Sequence, residues 1–218
     1  MSFSEFKKFC QREDSKFNDL THFFSNKPGL YLAYFLNELN FTPNQVTLIF
    51  IFVGLLGCIS LAYGYLFLSY ILWRLHIILD IADGNIARKR KLFTSLGPLL
   101  DKIGHHLIYP TIIMSILIYL KLPEEYPYLS LFFAILYLVQ WSTKYLNTSK
   151  KFLADHGKKT QYILKRIVIN LFGIEGIYIT LFLNYFNLIN KLTIVYFFLS
   201  SSIVILFIKI YIIVKNSD

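Results

Sequence analysis

Asp80, Asp83, Arg88, Asp101, Lys102, His105 and His106 lie close together in a stretch that is otherwise largely apolar. On a helix, residues three or four apart share a face. Asp80, Asp83 and Ala87 therefore make one stripe, and Gly97, Asp101 and His105 make a second on the next segment. A connection of about nine residues lets the two stripes face each other. Three carboxylates gathered at one depth need cations, and hard oxygen ligands favour Mg²⁺, Mn²⁺ or Ca²⁺. Mg²⁺ commonly keeps substrate phosphates among its ligands. Gly84 and Gly97 leave room for a phosphate or a neighbouring backbone, and the Arg88 guanidinium can fork onto phosphate oxygens. The constellation predicts a metal-bridged diphosphate. Structural ion pairs of these carboxylates with Lys102, Arg74 or Arg88, or a cation pathway, are the other readings of the same spacing.

The segments that must carry these residues are hydrophobic. Of 218 residues, 56% are apolar and 16% charged, and crossing a bilayer takes about 20 apolar residues. Six stretches qualify, near 46–67, 68–87, 97–120, 127–146, 167–187 and 192–213. They leave no room for a soluble domain of ordinary size. The net charge of +9 sorts by side: Lys7, Lys8, Arg12, Lys16, Lys27, Arg88 to Lys91, the lysines and arginine of 144–166 and Lys215 share one face, with Lys121 and Lys191 on the other. Positive charge marks the cytoplasmic side, so both termini are expected there, and the basic balance needs no nucleic acid. Residues 27–45 read as an amphipathic helix along the interface, ended by Pro43, with Thr42 or Asn44 capping the first span. The expected fold is thus an all-α integral membrane protein, with 1–45 as an N-terminal segment and 46–218 as a six-helix domain. No cleaved leader is apparent, and Cys10 and Cys58 read as ordinary residues.

Residues 80–101 run DIADGNIARKRKLFTSLGPLLD. This resembles the signature of the CDP-alcohol phosphatidyltransferases, D-x2-D-G-x2-A-R-x8-G-x3-D-x3-D. Asp80, Asp83, Gly84, Ala87, Arg88, Gly97 and Asp101 match in identity and spacing, and His105 stands where the pattern has its final Asp. Pro43, Asn44 and Thr47 are similar to the P-N-x-x-T entry into the first span of that family. Six spans, cytoplasmic termini and an interfacial helix also agree with it.

The resemblance implies transfer of a substituted phosphoryl group from a CDP-linked donor to an acceptor alcohol, releasing CMP, with two divalent ions, Mg²⁺ or Mn²⁺. Asp80, Asp83 and Asp101 would hold the ions. Gly84, Ala87, Arg88 and Gly97 would line the nucleotide, with Asn44 and Thr47 as further contacts. His105 would replace the carboxylate that binds metal and activates the acceptor, and a neutral imidazole can serve as base or ligand. An impaired, CDP-lipid-binding protein of the same fold is the alternative. Lys158, Lys159 and Arg166 are candidates for a phosphorylated acceptor, with anionic lipid as the competing reading. His106 points about 100° away from His105 on a helix and reads as a packing or dimer-facing residue. The expected partners are membrane lipids, donor, acceptor and a second copy, in a bacterial cytoplasmic membrane with the site facing inward.

Overall fold

A computed structural model describes residues 2–10, 20–92, 94, 96–143 and 174–215, and every regular element among them is a helix. The chain forms two compact units, Met1–Ser115 and Ile116–Asp218.

In the first unit, α1 (Phe3–Cys10) starts with a reciprocal cap. Ser2 Oγ accepts from the Glu5 amide at 3.3 Å, and Glu5 accepts from the Ser2 amide at 3.0 Å. Next comes α2 (Leu20–Glu38). The reading of 27–45 as a single interfacial segment ended by Pro43 needs correction here. The helix starts earlier and stops at Glu38, Asn40 takes a left-handed turn at φ 62°, and Pro43 opens α3 (Pro43–Ala62) instead. Proline suits a first helical position because its missing N–H would have had no partner there. Thr42 is the cap: its hydroxyl accepts from the Gln45 amide, and the Gln45 side chain accepts from the Thr42 amide.

Gly64, at φ 88°, then turns the chain into α4 (Leu66–Arg90). The first predicted span therefore ends at Ala62 rather than 67, because a turn interrupts the apolar run. Lys91, left-handed at φ 54°, closes α4, and α5 (Leu96–Tyr119) follows. α4 packs against α1, α2 and α3. Ser25, Gly29 and Ala33 are small, buried and four residues apart, so α2 lies close on α4. A Cβ at Gly29 would sit 2.6 Å from Ile81. Arg90 fastens the far ends of both helices by donating to the Asn37 side chain and carbonyl at 2.8 and 2.7 Å.

The second unit holds α6 (Leu122–Glu125), α7 (Pro127–Thr143), α8 (Ile174–Tyr185) and α9 (Lys191–Lys215). Asn187 turns α8 into α9 at φ 58°, and Asn190 accepts from the Leu192 amide. Lys191 pairs with Glu125. Among the described residues, Pro43–Ala62 is long and apolar enough to cross a membrane. It exposes Leu48, Phe52 and Ile59, as lipid contact requires. α4 and α5 have the length to span, but they carry charged residues, among them Asp80, Asp83, Arg88, Asp101 and Lys102.

Candidate functional site

Three helix segments of the first unit build the site. Capping by Thr42 sets Asn44 and Thr47 on the opening turns of α3, the last turns of α4 carry Asp80 to Arg88, and the first turns of α5 carry Gly97, Asp101 and His105. The two stripes expected from spacing do meet. His105 Nε2 lies 3.2 Å from Asp101 Oδ1, one turn back on α5, and 3.7 Å from Asp80 Oδ1 on α4. Ligand atoms of Asp80, Asp101 and His105 all fall within 4.8 Å of one another. Two carboxylates and an imidazole at that separation fit a divalent cation, the carboxylates suiting hard ions such as Mg²⁺ and Mn²⁺ and the imidazole suiting softer ones.

Asp83 stands slightly apart from that group. Thr47 Oγ1 is 2.7 Å from Asp83 Oδ2 and 3.0 Å from the Pro43 carbonyl oxygen. With one hydroxyl proton to give, Thr47 serves one acceptor at a time. Thr47 thus holds a carboxylate, a role its spacing did not announce. Arg88 donates to Asn85 Oδ1 at 2.7 Å and lies over Gly84, where a Cβ would sit 3.3 Å from the guanidinium. Gly97 lies close to the start of α3: a Cβ there would be 3.4 Å from both Asn44 Oδ1 and Thr94 Oγ1. The Gly97 amide also donates to Thr94 at 3.1 Å.

Aromatic rings fix the imidazole. Phe50 and Tyr109 contact the His105 ring at centroid distances of 5.9 and 5.6 Å, and His76 approaches it edge-on at 6.5 Å. His76 donates through Nδ1 to the Phe50 carbonyl at 2.9 Å, because a carbonyl oxygen can only accept. His106 is exposed and bonds through Nδ1 to the Lys102 carbonyl at 2.7 Å, away from the Asp80 and Asp101 carboxylates as its position on the helix implies. The described hydrogen bonds of Arg74 go to Ser25 and Tyr70.

The site borders a cavity of about 980 Å³, large enough for a substantial ligand. Asn44, Thr47, Asp80, Asp83, Asp101 and His105 line it. Gly84, Ala87, Arg88 and Gly97 complete the same wall. Sequence reasoning missed Asn85, which is 5% exposed and holds Arg88, and missed Lys7, Cys10, Lys27 and Tyr31, which line the same cavity. Lys7 with Cys10, and Lys27 with Tyr31, have helix-face spacing, but spacing alone does not say what those faces dock against. Cys10 is buried with Sγ 3.5 Å from the Asn85 carbonyl oxygen, and burial pushes its thiol above the ordinary value, against the opposing pull of Arg88 and Lys89. Lys158, Lys159 and Arg166 lie outside the described residues.

Comparison with curated proteins returns no match. The profile of the CDP-alcohol phosphatidyltransferases matches residues 40–199, spanning α3 to the first turns of α9. The chain belongs to the CDP-alcohol phosphatidyltransferase family, membrane-embedded phosphotransferases of phospholipid biosynthesis that use divalent metal.

Proposed function

We propose that this protein transfers a substituted phosphoryl group from a CDP-linked donor, either CDP-diacylglycerol or a CDP-linked polar alcohol, to an acceptor alcohol and releases CMP. The convergence of Asp80, Asp101 and His105 beside Gly84, Ala87 and Arg88 carries this reading. Asp80, Asp83 and Asp101 hold two ions, Mg²⁺ or Mn²⁺, which neutralise the diphosphate and the departing CMP when bound. The Arg88 guanidinium, steadied by Asn85, forks onto phosphate oxygens. Gly84 and Ala87 let the nucleotide approach the α4 backbone, and Asn44 and Gly97 bring α3 and α5 to its other side.

His105 does the work of the family's last carboxylate. Its Nε2, aimed at Asp101 and Asp80 by the flanking rings, takes the acceptor hydroxyl proton or completes the ligand set. Neutral imidazole can do either near pH 7. Lys158, Lys159 and Arg166 draw in a phosphorylated acceptor. We further infer six membrane spans over 46–218, α2 lying along the interface, and both termini and the site on the cytoplasmic side. The assembly is a homodimer in a bacterial cytoplasmic membrane.

Purified protein in lipid with Mn²⁺ or Mg²⁺, CDP-diacylglycerol or CDP-alcohols, and a panel of polar and lipid alcohols should release CMP. Asp101→Asn should abolish it, and His105→Ala should cut it by roughly a hundredfold or more, the usual worth of a general base. If no donor and acceptor pair yields CMP while CDP still binds, the protein is a nucleotide-lipid binder. Higher turnover in His105→Asp than in the native chain would show an impaired native site.

A further inference from the structure

We propose that α1, which precedes the family-matched segment, is a working wall of the donor pocket, and that Lys7 on it binds a phosphate of the nucleotide. This rests on the reading of the cavity as a CDP site. Phe3, Lys7 and Cys10 follow the i, i+4, i+7 spacing of one helix face, and all three line the cavity that Asp80, Asp83 and Asp101 also line. The helix is docked firmly enough to form a wall. Phe6 is fully buried and meets Tyr34 edge-on at 5.6 Å, while Phe3 stacks on Tyr31 at 4.5 Å with the rings 4° from parallel. At the far end Cys10 packs against the carbonyl of Asn85, the residue that holds Arg88.

Charge gives this wall its purpose. An anionic diphosphate entering the cavity meets Asp80, Asp83 and Asp101, with Lys7, Lys27 and Arg88 as basic groups. Divalent ions can neutralise the carboxylates, but the phosphate oxygens that they do not ligate still need donors. An ammonium on a four-carbon arm supplies rotatable donors to such oxygens. Lys8, the next residue, lies off the face that lines the cavity, and it provides an internal control of equal charge.

The test uses the full chain in lipid nanodiscs with Mn²⁺, titrated with CDP by calorimetry. Lys7→Ala should weaken CDP binding about tenfold, the value of one charge-assisted hydrogen bond. Lys7→Arg should retain most of the affinity, and Lys8→Ala should bind like the native chain. CDP should also slow maleimide modification of Cys10, followed by peptide mass mapping, because the nucleotide holds α1 in place. Native affinity in Lys7→Ala, or equal losses in Lys7→Ala and Lys8→Ala, would overturn the proposal. So would Cys10 modification at an unchanged rate in saturating CDP. Failure of the native chain to bind CDP at all would instead overturn the nucleotide reading of the cavity.

Discussion

Thr47 joins α3 to the acidic stripe of α4 through one hydroxyl, and it is 3% exposed. Replacing it by Val keeps the shape but removes the donor that Asp83 faces, and a hydrogen bond to a charged group contributes about 1.5–3 kcal/mol. Thr47→Val should therefore weaken Mn²⁺ binding about tenfold or more in a direct metal titration, with the helical signal of the protein unchanged. Unaltered Mn²⁺ affinity would show that Asp83 plays no part in holding metal. The same pair marks the limit of what single residues disclose. Asp80, Asp101 and His105 were legible as a group because i+4 spacing on α5 makes Asp101 and His105 neighbours by geometry alone, and the contact at 3.2 Å follows. That Thr47 would turn to Asp83, or Asn85 to Arg88, depends on how α3 and α4 settle together and on side-chain rotamers. Neither leaves a trace in residue spacing.

Elements come close here through residues with little hydropathy signal. An amphipathic reading of 27–45 saw the exposed aromatics of α2, such as Tyr31 and Phe35, at about 60% exposure, and so placed the helix on a surface. Its opposite face, Ser25, Gly29 and Ala33, is too small to register as hydrophobic and yet seats the helix on α4. Ile81, which Gly29 touches, lies between Asp80 and Asp83, so the fit of α2 bears on the site. A Cβ at Gly29 would stand 2.6 and 2.8 Å from Ile81 side-chain atoms and 3.2 Å from the Ile78 carbonyl oxygen. Gly29→Ala should cost about 1–3 kcal/mol by overpacking, lower the thermal midpoint and weaken CDP binding. Gly64 is the contrast: it needs a positive φ of 88° but has open space around it, so Gly64→Ala carries a backbone cost alone. It should lower the midpoint while leaving CDP affinity intact. Equal effects of both substitutions on CDP affinity would separate the packing of α2 from the site.

At the scale of the whole molecule, the basic residues decide sidedness. Lys and Arg gather in the segments before α3, at the end of α4 and across 144–166, whereas the two opposite turns hold Lys121 and Lys191 beside Glu124 and Glu125. Cytoplasmic loops carry the positive excess, which predicts that the turns bearing Glu124 and Lys191 face outward together. The ion pair of Lys191 with Glu125 supports this arrangement, since it brings the start of α9 against the end of α6, as two loops on one side of a membrane can do. It also pairs off one of the two lysines that run against the charge rule. In a background with Cys10→Ser and Cys58→Ser, single cysteines at Ser2→Cys, Glu124→Cys and Lys215→Cys can be challenged with a membrane-impermeant maleimide on intact bacterial cells. Glu124→Cys should label at once, and the other two only after the membrane is opened. Immediate labelling of Ser2→Cys would put the N-terminal segment, and Lys7 with it, on the outer face, where intracellular CDP-linked donors are out of reach. A cytoplasmic donor would then be excluded even with Asp80, Asp83, Asp101 and His105 intact, because the acidic stripes of α4 and α5 open to the same cavity that α1 lines.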